Sequence, residues 1–287
     1  MHMKVKAKLM IIALLLDAFG CSEKKRIHDP VKTSGDTSPL VLLCQDIDYS
    51  DTAVLHSEAF MKQTMTDIVK MMSVADSAST SRGLRIFFSG LEGDSIAISE
   101  ASRLAQLYLG NPASPVRNDD LYIRFLKSLL SAEGIPESIR IRNEECMRKA
   151  TLNRQGTIAT DFSYIDRNGT RGTLHRFDAP QTLLIFYDPE CTHCSDILSE
   201  LAEDPGINGA IAQGQLEVLA IYAEGKRNVW EKTKAGMPAD WNVGYDLTGI
   251  LDNDLYDLPA MPTLYLLDEA HRVLLKDPEP TLLMHQH

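Results

Sequence analysis

Residues 182–194 read TLLIFYDPECTHC, and this stretch decides the fold. The apolar run 182–187 is typical of a fully buried parallel strand. Cys191 and Cys194 follow it at a spacing of three residues, where the chain is expected to turn into a helix. The unpaired N–H groups and positive dipole end of that helix would stabilise a thiolate at Cys191. Because the thiolate is the attacking species in disulfide exchange, the stretch predicts a redox-active cysteine pair.

The two thiols are expected to have different roles. Cys191 lies at the start of the helix and is predicted to attack, whereas Cys194, one turn further in, is predicted to resolve the mixed disulfide. His193 can donate a hydrogen bond to the Cys191 thiolate, which makes the disulfide more oxidising. The neighbouring Asp188 and Glu190 act in the opposite sense, because adjacent negative charge disfavours a thiolate. The sequence leaves the sign of the net effect open.

A CxxC pair also occurs in zinc sites, which need two further ligands. Neither a second CxxC nor a spaced histidine pair supplies them, so we predict no metal site and no cofactor. The chain has 287 residues, enough for two domains, and a formal net charge of −11. So acidic a chain, without a basic stripe interleaved with aromatic residues, argues against nucleic-acid binding.

Residues 1–20 have the pattern of a signal peptide. Three lysines precede the apolar stretch 9–16, which is too short to span a bilayer. The sequence AFGC that ends at Cys21 is similar to the lipobox of bacterial lipoproteins, although Asp17 stands where an aliphatic residue is usual. The resemblance implies that Cys21 is lipidated and that polar residues 21–39 tether the chain to a membrane, facing the periplasm. Plain secretion and a buried N-terminal helix are the alternatives.

Residues 40–152 are predicted to form a small all-α domain of unknown function. Their apolar residues recur at helical spacing, and Ser57 and Asn118 are suitable N-caps. The predicted helices cover 57–75, 79–91, 96–109, 119–132 and 136–152. Cys44 and Cys146 lie in this region and are either two buried thiols or the two halves of a structural disulfide.

Residues 153–287 alternate between strand and helix patterns. Hairpins are expected at 162–177 and 263–275, with buried strands at 182–187 and 216–222 and a short strand at 242–245. Helices are expected after Cys194, at 226–235 and at 248–256. The fold class predicted from this order is an α/β domain, a mixed sheet with helices on both faces, preceded by the all-α domain.

Residues from about 157 to 277 resemble the thioredoxin-like domains of membrane-tethered bacterial thiol–disulfide oxidoreductases. The residues that carry the likeness are Asp161-Phe162 with its hairpin, CTHC at 191–194, and Ala260-Met-Pro-Thr263 before LYLLD. The resemblance implies a cis peptide bond before Pro262. It also implies that Met261, Pro262 and Thr263 frame a substrate groove that faces the cysteines. The whole arrangement is similar to envelope lipoproteins with an uncharacterised N-terminal helical domain.

The same resemblance implies an envelope enzyme that exchanges disulfides with protein thiols, as a reductase or isomerase supplied by an upstream membrane electron donor. The chain departs from thioredoxins at two positions: Glu190 replaces a tryptophan, and Ile185 replaces a buried acid that assists the resolving cysteine. Glu217 and a bound water are the two candidate substitutes for that acid. The alternative is a non-catalytic binding module that keeps the fold and presents the helical domain to a partner.

Overall fold

Helices fill the first part of the chain in the computed structural model, which describes residues 38–284. A π-helix, Gln106–Gly110, continues directly from the α-helix Ser95–Ala105. The helices of this part are α1 (Pro39–Asp46), α2 (Thr52–Leu55), α3 (Glu58–Met72), α4 (Ser77–Gly90), α5 (Ser95–Ala105), α6 (Asp119–Leu130) and α7 (Glu137–Thr151).

Side-chain caps explain where several of these helices begin. The backbone N–H of Phe60 donates to Ser57 Oγ, and the N–H of Leu121 donates to Asn118 Oδ1 at 2.9 Å, so both predicted N-caps are confirmed. Such a cap satisfies one of the four N–H groups that a helix start leaves without a partner. The helices enclose one apolar core, at whose centre the ring of Phe88 meets Phe87 and Phe125 edge-on.

A seven-stranded mixed sheet forms the second part, in the order β2-β1-β5-β4-β3-β6-β7. Strand β3 pairs in parallel with β4 and antiparallel with β6, so it lies inside the sheet. The strands are β1 (Ser163–Asp166), β2 (Arg171–Thr173), β3 (Gln181–Phe186), β4 (Leu216–Tyr222), β5 (Asn242–Asp246), β6 (Thr263–Asp268) and β7 (Val273–Lys276). The helices are α8 (Thr192–Glu203), α9 (Pro205–Ala212), α10 (Arg227–Thr233) and α11 (Pro280–Met284).

Alternate residues of the central strands build two separate cores. On one face, Leu183, Ile185 and Tyr187 pack with the buried residues of α8, α9, α10 and α11. On the other face, Leu184 and Phe186 pack with a short 3-10 helix and with the segment 250–256. An all-helical part followed by a mixed sheet with helices confirms the predicted fold class, but the α-helices of the sheet part cover one face of the sheet rather than both. The four helices that follow β3 have their buried residues in the core of one face, so the second face is covered mainly by turns and loops.

The helix predicted at 248–256 is wrong, and this explains the turn-covered face. Asp246 accepts hydrogen bonds from the backbone N–H groups of Thr248 and Ile250, at 2.8 and 2.6 Å. Gly249 and Asp254 have φ angles of 75° and 49°, which no α-helix contains. Local side-chain bonds of this kind compete with helix formation.

Ion pairs of differing exposure join the helical part to the sheet part. Lys276 of β7 is 5% exposed, and its Nζ lies 2.9 Å from Asp119 Oδ2 at the start of α6. Arg117 bonds to Asp277, and Arg148 of α7 lies 3.3 Å from Asp254. The boundary at residues 152 and 153 stays a prediction. Between residues 38 and 284, no helix combines the length and the apolar character needed to cross a membrane.

Candidate functional site

The cysteine pair lies where β3 ends and α8 begins. Cys191 is the N-cap residue of α8 and is half-buried, whereas Cys194, in the first turn, is fully buried. Cys191 therefore stands at the positive end of the α8 dipole, although its side chain accepts no capping hydrogen bond from the first turn. Both thiols are free in this structure. The exposed and buried positions match the roles expected of an attacking and a resolving thiol.

Cys194 is held as a neutral thiol. Burial is the largest cause that raises its pKa, from an ordinary value of 9.0 to about 12. The backbone N–H of Asp188 donates to Cys194 Sγ at 3.5 Å and acts in the opposite direction, while the nearby thiol of Cys191 and the Asp188 carboxylate raise the pKa further. The side-chain hydrogen bond of Cys191 to Cys194 shows that the two thiols are close.

A basic residue from another loop offsets the negative charge beside Cys191. Lys226 Nζ lies 3.3 Å from Glu190 Oε2 and 3.8 Å from Glu224, and the pair with Glu190 is half exposed to solvent. The hydrogen bond to Glu190 is the main reason that the pKa of Lys226 is raised. An ammonium group at this place weakens the repulsion that Glu190 alone would exert on a Cys191 thiolate.

His193 points away from the protein core. It is exposed, and within the described residues its imidazole makes no hydrogen bond or ion pair. The side chain is therefore free to orient toward an incoming substrate or toward the adjacent thiolate. Its expected influence on the thiolate stays a prediction.

The segment 260–263 lies at the same end of the sheet as the cysteines. Thr263 pairs with Phe186, the last residue of β3, and β6 runs antiparallel to β3, so Met261 and Pro262 precede β6 where β3 leads on to α8. Met261 packs against the core that contains Cys194, as does Cys191. The Met261–Pro262 peptide bond is cis.

A row of tyrosines crosses the same end of the sheet, and the sequence analysis missed it. Tyr187, Tyr222 and Tyr245 follow one another at the carboxyl ends of β3, β4 and β5, with ring centroids 6.2 and 6.4 Å apart. Trp230 packs against Tyr245 at 5.8 Å. The hydroxyls of Tyr187 and Tyr222 are buried without a hydrogen-bond partner, and burial raises the pKa of Tyr222 to about 12. These hydroxyls stay protonated and belong to the same core as Cys194.

Glu217 does not take the place of a buried acid next to Cys194, so that expectation is wrong. It sits near the start of β4, paired with Thr182, whereas the cysteines lie beyond the far end of β3. Its neighbours Leu216 and Val218 face the core of Cys194, so Glu217 points to the opposite face. Burial raises the pKa of this carboxyl, and the Asp178 carboxylate adds to the effect.

The remaining cysteines are separate from this site. Cys44 and Cys146 are free, so no disulfide joins them. Burial in the helical core raises the pKa of Cys44 to about 12. Cys21, the expected lipidation site, lies outside the described residues. Among residues 38–284 no group of three or more potential metal-binding side chains occurs.

The helical part is similar in sequence to a known domain family. The model of a domain of unknown function, DUF5106, matches residues 44–153. No curated protein matches the chain significantly. That match covers most of the helical part, and its description gives no activity.

One solved structure resembles the chain over most of its length, and others resemble about half of it. A thioredoxin-like protein from Bacteroides caccae shares 28% identity at a TM-score of 0.77, over 89% of this chain and 94% of its own. The C-terminal domain of an uncharacterized protein from Bacteroides fragilis is 41% identical, with 46% of this chain and 95% of its own covered, at a TM-score of 0.45. A thiol:disulfide interchange protein from Bacteroides sp. is 18% identical, with coverages of 46% and 86% and a TM-score of 0.40. The first likeness spans both the helices and the sheet.

Lys226 and the tyrosine row could not have been placed from sequence alone. Lys226 lies 36 residues from Glu190, in a loop whose position depends on how β4 pairs with β3. The only signal for the tyrosines was their place at the end of each predicted strand, where alternation puts them on one face. Reading the three strand ends together would have found the row.

Proposed function

We propose that this chain, whose fold is similar to that of a thioredoxin-like protein from Bacteroides caccae, catalyses thiol–disulfide exchange through Cys191 and Cys194. The observation that carries the proposal is the asymmetry of the pair. One thiol is accessible at the start of a twelve-residue helix, and the other is buried one turn into the same helix. A thiolate at the first position is stabilised by the helix, while the second thiol is kept from outside reagents.

The reaction proceeds in two exchanges. The Cys191 thiolate attacks a disulfide of a client protein, forms a mixed disulfide and releases the first client thiolate, which takes up a proton. Cys194 loses its proton and attacks the Cys191 sulfur, which forms the Cys191–Cys194 disulfide and releases the second client thiol. The client gains two electrons and two protons in total, and the enzyme loses them.

The groove for the client is proposed to lie along residues 261–263. Met261 would offer its backbone to an extended client segment, with Pro262 and Thr263 completing the frame. The proximity of Met261 to the core of the cysteines supports this placement. His193 is proposed to tune the Cys191 thiolate from the exposed side of the helix, since its imidazole is free to approach it.

The reductase or isomerase direction is the one we propose, with a membrane electron donor that returns the pair to the dithiol. The location proposed is the cell envelope, with a lipid anchor at Cys21 and the site facing the periplasm. An oxidising compartment supplies the disulfide-bearing clients that such an enzyme needs.

Trapping variants test the exchange. In Cys194→Ser the mixed disulfide between Cys191 and a client cannot be resolved, so disulfide-linked adducts should accumulate on non-reducing gels. Cys191→Ser should form none, because Cys194 is buried. Cys44→Ser is the matched control, since it removes another buried thiol that has no part in the site and should leave both results unchanged.

An absence of disulfide exchange would favour a non-catalytic binding module. If neither variant forms adducts and the unmodified protein does not reduce insulin, the cysteines are idle and the fold serves to hold a partner.

A further inference from the structure

Acidic side chains outnumber basic ones at the end of the sheet where Cys191 and Cys194 lie. The segments that follow β3, β4 and β5 meet at this end, because the three strands run parallel. Together these segments contain seven Asp and Glu residues against two Lys and Arg residues. The three segments are 188–196, 223–227 and 247–262. The cysteine pair therefore lies in a negative electrostatic field.

Neighbouring cations offset only part of this charge. Lys226 Nζ lies 3.3 Å from Glu190 Oε2 and 3.8 Å from Glu224 Oε2, so one ammonium group serves two carboxylates. Arg227 Nε lies 3.6 Å from Glu231 Oε1 and is thus engaged within its own helix, α10. The two basic residues of these segments therefore leave most of the carboxylates unpaired.

Asp188 brings an unpaired carboxylate to the cysteine pair itself. Its backbone N–H donates to Cys194 Sγ at 3.5 Å, and its side chain accepts a hydrogen bond from the backbone N–H of Glu190 at 2.9 Å. No cationic side chain among residues 38–284 forms an ion pair with Asp188. The same holds for three further carboxylates of these segments, which belong to Asp196, Asp252 and Asp257.

A buried polar group beside these carboxylates supplies no positive charge either. The hydroxyl of Tyr222 is fully buried and has no hydrogen-bond partner. Burial raises its pKa to about 12, and the charges of Glu224, Asp188 and Glu190 contribute to the effect. The hydroxyl is therefore neutral, and the negative charge around it is left for an incoming group to balance.

The opposite end of the sheet has no such excess of negative charge. The segments that connect the strands there contain four Lys and Arg residues against three Asp and Glu residues. The asymmetry therefore belongs to the end with the thiols and is not a general property of this acidic chain. The connecting segments are 167–170, 174–180, 213–215, 234–241 and 269–272.

We propose that the acidic end of the sheet selects client disulfides that are flanked by basic residues. This inference rests on the proposed exchange at Cys191 and names its class of client. A Lys or Arg beside the client cysteine is complementary in charge to the unpaired carboxylates, which speeds its approach. The same cation offsets the negative charge that disfavours a Cys191 thiolate, so it also favours the attack. Disulfides of net negative charge are repelled.

Three small disulfides of different charge test the preference. Cystamine is cationic, bis(2-hydroxyethyl) disulfide is neutral and dithiodipropionate is anionic. In the full chain with Cys194→Ser, the Cys191 thiolate attacks each probe and the S–S bond of the probe breaks. One half of the probe remains as a mixed disulfide with Cys191, and the other half leaves as a thiolate that takes up a proton.

Intact-protein mass spectrometry follows the mixed disulfide with time. The Cys191→Ser/Cys194→Ser form gives the background from the other cysteines. Each rate is divided by the rate of the same probe with dithiothreitol, which removes differences in intrinsic reactivity. We expect the normalised rate of cystamine to exceed that of dithiodipropionate at least about tenfold at low salt. The ratio should collapse at about 1 M salt, where the screening length is only about 3 Å.

Single charge changes locate the source of the preference. Asp188→Asn removes a carboxylate beside the pair and keeps an oxygen for the N–H of Glu190, so the ratio should fall about two- to threefold. Lys226→Ala removes the ammonium group and should raise the ratio by a similar factor. Asp240→Asn is the matched control, an exposed acid before β5 at the opposite end of the sheet, and should leave the ratio unchanged.

The outcomes separate this preference from the reaction on which it rests. If the neutral probe forms no adduct above background, the exchange itself fails, and the preference fails with it. If all three probes form adducts at normalised rates within about twofold of one another, the exchange stands and the selection of basic clients is refuted. The selection is also refuted if Asp240→Asn changes the ratio as much as Asp188→Asn does.

Discussion

Deprotonation of Cys194 should limit the resolving step, and pH is the perturbation that tests this. Burial and neighbouring groups raise the pKa of Cys194 to about 12. At pH 7 about one Cys194 in 100,000 is then a thiolate, against about one in 100 at the ordinary value of 9.0. Below pH 12 each added pH unit increases the thiolate fraction about tenfold. The resolving rate should therefore rise about a hundredfold between pH 7 and pH 9.

A chromogenic aryl disulfide makes the step visible. The reduced protein releases one coloured thiol when Cys191 attacks and a second when Cys194 resolves, so the second phase reports the resolving rate. Cys194→Ser should show only the first phase. Asp188→Asn should speed the second phase, because the Asp188 carboxylate raises the pKa of Cys194 while the backbone N–H that bonds to its sulfur is retained.

Asp196→Asn is the matched control, an exposed acid on the same helix. The reasoning is refuted if the second phase changes by less than about threefold between pH 7 and pH 9, since deprotonation of a thiol of this pKa would then not control it.

Three further changes test the packing and the charges. Gly110→Ala should lower the melting temperature, because its Cβ would meet the Tyr122 ring at 2.7 Å, whereas Gly236→Ala, with no atom within 4 Å, should not. Phe88→Ala should cost about 3–5 kcal/mol of unfolding free energy in a denaturant titration, because it empties the centre of the helical core. Lys226→Ala should slow the first phase of the aryl disulfide reaction at low salt by a few-fold, and high salt should remove the difference, because screening weakens exposed charges.

The long buried strand and the helix caps could be predicted because their signals are local. The run 182–187 corresponds to β3, Gln181–Phe186, and Ser57 and Asn118 cap α3 and α6. An uninterrupted apolar run has few alternatives to a central strand, and an N-cap acts within three residues of its own position.

The two wrong predictions of secondary structure both lie in the sheet part, after β3. The predicted elements include no second helix between the one after Cys194 and 226–235, but Asp204-Pro205 start α9, with Asp204 as N-cap and Pro205 in its first turn. Proline is favoured at the first position of a helix as well as after its end, so the two outcomes share one signal. At 248–256 the predicted helix is replaced by turns, because the Asp246 side chain binds the backbone N–H groups of Thr248 and Ile250.

The two thiols of the candidate site could be predicted from the sequence, but the residues that surround them could not. Cys191 and Cys194 are fixed by spacing and by the strand before them, so their different burial follows from the helix itself. Lys226 and the hydroxyl of Tyr222 reach the site through strand pairing, which a sequence does not display.

A redox titration of the Cys191–Cys194 pair tests the central claim most directly. The reduced protein is equilibrated over a range of dithiothreitol or glutathione ratios, and the free thiols of these two cysteines are measured by alkylation and peptide mass. We expect a reversible disulfide with a single two-electron transition, at about −270 mV for a reductase or about −180 mV for an isomerase. A pair that forms no disulfide at any ratio would contradict it.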